Sequence, residues 1–551
     1  MKFNASLAAA RPVAAGLAVW AALAGCTAPA VLGPQTLAAV NTATIVSTVP
    51  FADPGSTLSA GWESGGVMQI FVRSYQDSDG DGIGDLRGLI ARLDYLRDLG
   101  VKGLWLMPVT ASQDGDHGYA VADYRAVEKA YGTLADFDEL LKQAHARGIG
   151  VVIDYVINHS ATSHPLFQQS SSSPGNAYRD WYVWQDPAPG GWSIYGGNPW
   201  RRGPHGAASA AYFAAFADTM PEFNFRLPAV VAFHEDNQRF WFNRGVDGLR
   251  FDAVGHLVEN GPRAWDNQPE NYPLMARMRA LADAYRQRTI VCESPADGRG
   301  FAAVTACGSA FAFDLSPALI GAARGDVRAI QAVSDFFKTA PASMATFLSN
   351  HDAFAGRRVA DQLNGDAAQL KLAAATLLLL PGRPYLYYGE EVGMAGAATL
   401  RGDPQLRTPM SWTADPVRGG YTSGTPYRAL AANVATHNVA AQAADPQSIL
   451  NFYKAMLKLR NTQASIARGG YAAAAVSGQT ASWQRRLGDE TTVVLINYGR
   501  SPVDTNLQAL PAQRTLQPLW PADATRLRVG PDGSARSTVP PQSVQVFRVQ
   551  P

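Results

Sequence analysis

Four short segments each place a carboxylate or a histidine at the end of an apolar, β-like run: Asp154-Tyr-Val-Ile-Asn158-His159, Gly248-Leu-Arg250-Phe-Asp252, Val291-Cys-Glu293 and Phe347-Leu-Ser-Asn350-His351-Asp352. Charge at a buried strand end is costly, and like charges drawn together raise one another's proton affinity. One Asp beside an Arg reads most simply as a structural ion pair. Several such ends in one chain point instead to a shared pocket. There three carboxylates and two histidines would converge, a set able to do acid/base chemistry.

The elements that must position these groups are legible from residue 67 onward. Short β-branched runs at 67–73, 103–108, 149–156, 248–254, 289–292, 311–315, 345–349 and 384–388 alternate with helical patterns at 86–99, 134–147, 231–244, 272–288 and 366–380. Eight such alternations predict an α/β fold, a (β/α)8 TIM barrel with insertions. An open doubly wound sheet is the alternative, but no Gly-rich dinucleotide turn follows the first run. Barrel enzymes carry their chemistry at the C-terminal strand ends. Asp154, Asp252 and Glu293 end strands three, four and five, and Asp352 lies just beyond strand seven. The barrel is expected over 63–159 and 227–464. An inserted lobe follows strand three at 160–226, with Trp181, Tyr182, Trp184, Trp192 and Trp200. A loop that long with its own aromatics is expected to wall a cleft. The short alternating runs of 465–551 predict a C-terminal antiparallel β-sandwich domain.

The 551 residues carry a formal net charge of +1, which leaves no basic excess for nucleic acid. Residues 1–25 read as an export signal, too short in its apolar part to remain as a membrane span. Leu23-Ala24-Gly25-Cys26 resembles the bacterial lipobox, which implies a lipoprotein signal and lipidation of Cys26. Residues 26–62, rich in Ala, Thr, Ser and Pro, are then expected to be a tether. Membrane contact would run only through that anchor, at the outer membrane or cell surface, with a periplasmic or secreted protein as the alternative, and a monomer is expected. Of the other cysteines, Cys292 is expected to be a buried free thiol rather than the partner of Cys307, and no spacing suggests zinc.

Taken together, the motifs resemble glycoside hydrolase family 13, the α-amylase family. The similarity runs from about Val67 to the C-terminus. The family motifs are matched by Asp154 to His159, by Gly248-Leu-Arg250-Phe-Asp252-Ala253-Val-Gly-His256, by Glu293 and by Asn350-His351-Asp352. Met220-Pro-Glu-Phe-Asn224 and Arg407-Thr-Pro-Met-Ser-Trp412 add two more, the latter similar to the oligoglucosidase branch. The resemblance implies a nucleophile at Asp252 kept ionised by Arg250, an acid/base at Glu293 and a stabilising carboxylate at Asp352. It also implies sugar contacts from His117, Tyr119, His159, Arg250, His256 and His351. Such an enzyme retains anomeric configuration, with the Asp252 and Glu293 carboxyls about 5–5.5 Å apart.

Asp77-Ser-Asp79-Gly-Asp81-Gly82-Ile83-Gly-Asp85 spaces oxygen ligands as a Ca²⁺ loop does, without a closing Glu at position 12. A structural Ca²⁺ held by Asp77, Asp79, Asp81, Ile83 and Asp85 is expected. Asn158 and the carbonyl of His256 match a second, weaker family calcium position. Ala253, where strict α-1,6 enzymes carry Val, implies α-1,4 links, and the expected activity is endo-type hydrolysis of starch, glycogen or maltooligosaccharides. Gly255, where many members have Lys, leaves open an α-glucosidase or a cyclomaltodextrinase- or neopullulanase-like enzyme on short oligosaccharides, with transglycosylation. A sugar-binding scaffold without chemistry is disfavoured because Asp252, Glu293 and Asp352 are all present.

Overall fold

The computed structural model describes residues 42–203 and 210–550. The expected signal, Cys26 and the first part of the expected tether lie outside them. Parallel strands Val67–Ile70, Gly103–Leu106, Gly150–Val156, Gly248–Asp252 and Thr289–Cys292 pair in chain order, and Ala345–Phe347 pairs with Arg383–Tyr387, which returns to the first strand. The remaining gap is closed by residues 310–311, which bridge Cys292 on one side and Ala345 on the other. The result is a TIM barrel. Its sixth position is shorter than the run at 311–315 predicts, because the chain turns at Ala312 and enters the helix Ser316–Ala323.

Strand side chains alternate between two cores, as the period of two requires. Val67, Trp105, Val152, Val291, Phe311, Phe347 and Tyr385 fill the barrel. Their neighbours Met68, Leu104, Ile153, Leu249 and Phe251 face the surrounding helices. Those helices include Leu134–His145, opened by a capping box between Thr133 and Asp136, and Pro228–Asn243, Asn271–Asp283 and Ala367–Leu379.

Three additions complete the chain. The hairpin Thr110–Ser112 with Val121–Val127, which the strand periodicity did not reveal, follows the second strand and carries His117 and Tyr119 at its turn. The lobe after the third strand has a helix, Pro165–Ser172, and a small antiparallel sheet with Ala211–Phe213 between Trp184–Gln185 and Trp200–Arg202. The C-terminal domain is a six-stranded antiparallel sheet with a two-stranded ribbon, Val503–Leu507 and Ala535–Val539, around its own core. Trp483, fully buried, fastens it to the barrel by donating its indole N–H to the carbonyl of Leu379 at 3.2 Å.

Two expectations are corrected. The tether does not extend to residue 62. The Val49 amide donates to Asp236 at 2.9 Å, Asn243 donates to the Pro50 carbonyl at 2.8 Å, and Leu58 and Trp62 are buried under the barrel. The Ala, Thr, Ser and Pro around these two apolar residues conceal them in a composition-based reading. Cys292 is likewise not a free thiol. It forms a disulfide with Cys307, with the α-carbons 6.2 Å apart, because the segment after Glu293 folds back so that Ser309 and Ala310 run beside Cys292.

Trp62 closes the bottom of the barrel because Gly103 and Gly150 leave room for its ring. A β-carbon at those positions would come within 2.6 and 2.7 Å of it. Replacing Trp62 with Ala is expected to cost about 3–5 kcal/mol, the range for emptying a large buried site. Urea unfolding of the two proteins measures the difference, and a loss under about 1 kcal/mol would show that the plug is dispensable.

Candidate active site

Register explains why a cation and several carboxylates meet. Asp154 pairs laterally with Arg250, so both side chains point into the barrel at one level, and Asp252 follows two residues later on the same face. The Arg250 guanidinium is fully buried. Its Nη1 lies 2.7 Å from Asp154 and 2.6 Å from Asp252, and its Nη2 lies 2.8 Å from Glu293. One cation thus holds three carboxylates in fixed positions. Asp252 and Glu293 bind the two terminal nitrogens of one planar group, which holds their carboxyls side by side.

The backbone contributes as well. Ala253, directly after Asp252, adopts the left-handed conformation at φ 49°, which turns its amide toward Glu293 at 3.2 Å. A non-glycine residue held there is strained, and such strain persists where a site over-determines the geometry.

Asp352 stands opposite, at the mouth of the barrel. Arg407 binds it at 3.0 Å, binds Asp403 at 3.0 Å, and donates from Nε to the carbonyl of His351 at 2.9 Å. His351 itself is locked. Gln69 donates to its Nδ1 at 2.6 Å, which leaves the proton on Nε2, facing Tyr119 at 2.6 Å and Asp352 at 3.1 Å. Burial, with help from Arg407 and Arg250, holds this imidazole neutral, its pKa well below the usual range. Tyr119 passes the chain on, donating to Asp154 at 3.0 Å. Asp154 therefore touches Arg250, Tyr119 and Trp105 and braces the floor.

A cavity of about 370 Å³ opens above this floor, lined by His117, Tyr119, His159, Asp252, His256, Glu293 and Asp352 together with Arg407 and Asp403. Every residue expected to touch a sugar lines it except two. Arg250 and His351 lie just beneath and act through their neighbours. His117 is paired with Asp114 at 3.1 Å, His159 presents an unpartnered buried Nε2, and the His256 ring lies 3.1 Å from the Tyr195 hydroxyl.

Burial governs the acids. It pushes Asp252 up to about 6 against the pull of Arg250, and Glu293 further, to about 7, because Asp252 repels its ionised form. Burial likewise lifts Asp352 to about 7 against Arg407.

The metal expectations divide. Asp77, Asp79 and Asp85 bring carboxylate oxygens within 4.8 Å of one another, a donor set that suits Ca²⁺. Asp81 stands outside that group, exposed and accepting from the Ile83 amide. At the second position, the Oδ1 of Asn158 and the Oε2 of Glu222 are both buried without a partner, which is chemistry a cation would satisfy. Glu222 lies in the Met220–Asn224 motif but was not among the expected ligands.

A family model described as "Alpha amylase, catalytic domain" matches residues 69–469. The chain belongs to the α-amylase family. It is 32% identical over 518 residues to a probable α-glucosidase of Rhizobium meliloti (strain 1021), covering 83% of this chain and 92% of that one. It is 30% identical over 516 residues to an oligo-1,6-glucosidase of Parageobacillus thermoglucosidasius, covering 80% and 91%. The solved α-glucosyl transfer enzyme XgtA superposes with a TM-score of 0.76 at 29% identity, over 89% of this chain and all of that one. This α-amylase family member is thus a retaining glycoside hydrolase. Its Arg407 stood in a recognised motif, whereas Tyr195, Phe216 and Phe354, which also line the cavity, belong to no motif and carry no periodic signal.

The raised acid at Glu293 has a consequence for stability. Its folded pKa, about 7, exceeds the ordinary 4.5, so its stabilising share is complete below 4.5 and lost as pH rises through 7. A Glu293→Gln variant is therefore expected to be more stable than the parent at pH 8 by about 1–3 kcal/mol, with the gap closing toward pH 4. Urea unfolding at both pH values measures it, and a less stable variant at pH 8 would mean that Arg250 outweighs burial.

Proposed function

We propose that this protein is an α-glucosidase. It would release glucose from the ends of short α-linked oligosaccharides, α-1,4 links first, by a double displacement that can also end in transfer to an acceptor. The observation that carries this reading is the size of the site, a cavity of about 370 Å³ at the small end of ligand-pocket sizes, with Arg407, Asp403 and His117 among its lining residues. The α-glucosidase and oligoglucosidase relatives support exo action over the endo-amylase expectation, and the transfer enzyme supports transglycosylation. The small side chain of Ala253 on the leaving-group side supports α-1,4 linkages.

In the proposed cycle, the Asp252 carboxylate attacks the anomeric carbon while Glu293 protonates the departing oxygen. Arg250 keeps Asp252 ionised and fixes both carboxyls. Asp352 lines the cavity where hydroxyls of the bound sugar would need partners, and His351 acts through Tyr119 and Asp352. Water or an alcohol then attacks the glycosyl ester, giving its proton to Glu293 and restoring Asp252. Initial rates on maltose, maltotriose, isomaltose and soluble starch are expected to favour maltose and maltotriose over starch by at least about tenfold in kcat/KM, with α-glucose released first by NMR. An Asp252→Asn variant is expected to lose at least about a thousandfold. Rapid loss of iodine staining on starch, with mixed oligosaccharide products, would restore the endo reading.

The reading includes a structural Ca²⁺ at Asp77, Asp79 and Asp85. Hydrogen bonds from Thr422 and from the amides of Asp79, Gly80 and Gly82 keep Asp77 ionised against the cost of its burial. An ion there would pin this loop to the segment around Tyr421 and Thr422. Added Ca²⁺ at a hundred times its Kd is expected to stabilise the fold by about 2.7 kcal/mol, read as a rise in Tm that chelation reverses and Asp79→Ala abolishes. An unchanged Tm in both cases would remove calcium from the account. Export with lipidation at Cys26 is also part of the proposal, supported by the Cys292–Cys307 disulfide, which suits an oxidising compartment. Among the described residues no helix is long and apolar enough to cross a membrane.

A further inference from the structure

A second cavity, of about 570 Å³, opens between the lobe and the segment after the fourth strand, and it shares no lining residue with the cavity above Asp252. It is the larger of the two. Asp180, Gln185, Trp192, Trp200 and Arg226 of the lobe line it, together with Glu259 from beyond the fourth strand. The double displacement uses none of these side chains.

The small sheet of the lobe builds the aromatic wall. Trp200 and Phe213 pair across neighbouring strands with their rings 5.1 Å apart, and Trp192 lies nearly perpendicular to both, at 5.9 and 5.2 Å. Trp192 is half-buried, and neither neighbour stacks face to face on it. Trp184 is spent by contrast, with Phe167 stacked on it at 5.8 Å and the Arg179 guanidinium 3.6 Å from its ring centre. Trp200 is more than nine-tenths buried, yet its indole N–H has no partner. A buried donor left unpaired is costly, and a ligand oxygen in the cavity that this ring lines would relieve it. A ring held in place by its neighbours also offers stacking surface at little cost in ordering.

The rest of the lining selects the ligand class. Around the indoles stand the carboxyls of Asp180 and Glu259, the carboxamide of Gln185 and the guanidinium of Arg226, and Asp180 and Gln185 are exposed. A purely apolar ligand would leave these groups unpaired. An ion of either sign would meet a like charge among them. A sugar is neutral, carries hydroxyls that both donate and accept, and turns a flat C–H face to an aromatic ring.

We propose that this cavity is a second, non-catalytic site that binds a short α-linked saccharide, with Trp192 stacked on one sugar ring and Asp180 and the Trp200 indole N–H bound to its hydroxyls. The choice of an α-linked saccharide rests on the glucosidase reading. The reacting carboxyls stand in the other cavity, so a saccharide held here is bound and not cleaved.

Fluorine NMR of the full chain labelled with 5-fluorotryptophan tests this directly. The Asp252→Asn background keeps maltose intact, and a further Trp192→Phe substitution assigns the Trp192 resonance by removing it. We expect that resonance to shift saturably with maltose, with a half-point in about the millimolar range, and to stay in place with mannitol at the same concentration. Asp180→Ala, at an exposed side chain, is expected to raise the half-point about tenfold. On the unsubstituted background, Asp180→Ala is expected to leave kcat on maltose within about twofold, which shows that the protein is folded. A Trp192 resonance unmoved by maltose, an equal shift with mannitol, or a half-point unchanged in Asp180→Ala would each overturn the proposal. Failure of the unsubstituted enzyme to cleave maltose would instead sink the glucosidase reading, and a saturable shift at Trp192 would still support the lobe site.

Discussion

The Arg250 guanidinium, buried at the level where the third, fourth and fifth strands end, is the group on which the site depends. Three carboxylates surround it within 2.8 Å. Without the cation, three acids in one apolar barrel would each take up a proton, and the nucleophile would be lost. With it, the environment still favours protonation, but unequally. Burial pushes Asp154 and Asp252 alike up to about 6 and Glu293 to about 7, against the pull of the same cation. The geometry follows from the same contact, since the two terminal nitrogens of a rigid plane hold the Asp252 and Glu293 carboxyls side by side.

Around this centre the protein spends its other polar contacts on immobility. Gln69, His351, Tyr119 and Asp154 form a continuous chain that sets one tautomer of one imidazole and ends on Arg250. Arg407 repeats the device at the mouth, tying Asp352 to the segment after the last strand. The hydrophobic plug below, built from Leu58 and Trp62, keeps the barrel floor closed, so the polar layer rests on packed side chains rather than on water. At Ala253 a strained backbone orients an amide toward Glu293.

Much of this was legible before any coordinates. The alternation of apolar runs and helical patterns specified a barrel, and the strand-end motifs specified where Asp252, Glu293 and Asp352 would stand, because side-chain period and strand direction are local properties. What was misread depended on contacts between distant segments. The sixth strand was overestimated because an apolar run does not reveal that the chain turns at Ala312. The tether was drawn too long because composition averages over the two residues, Leu58 and Trp62, that anchor it. The disulfide was discounted because the return path that carries Cys307 to Cys292 cannot be seen in their spacing.

The sequence by itself determined the fold class, the strand-end places of Asp154, Asp252 and Glu293, and the order of the strands that carry them. All of these follow from residue types and short-range periodicity. Only the tertiary structure decided how large the cavity is, how the His351 ring is held, and which side chains outside the motifs line the cavity. Tyr195, Phe216 and Phe354 sit in loops without a repeating pattern, and nothing in their local sequence distinguishes them from packing residues. They meet only when the lobe after the third strand brings Tyr195 and Phe216 to the cavity that Phe354, just after Asp352, also lines.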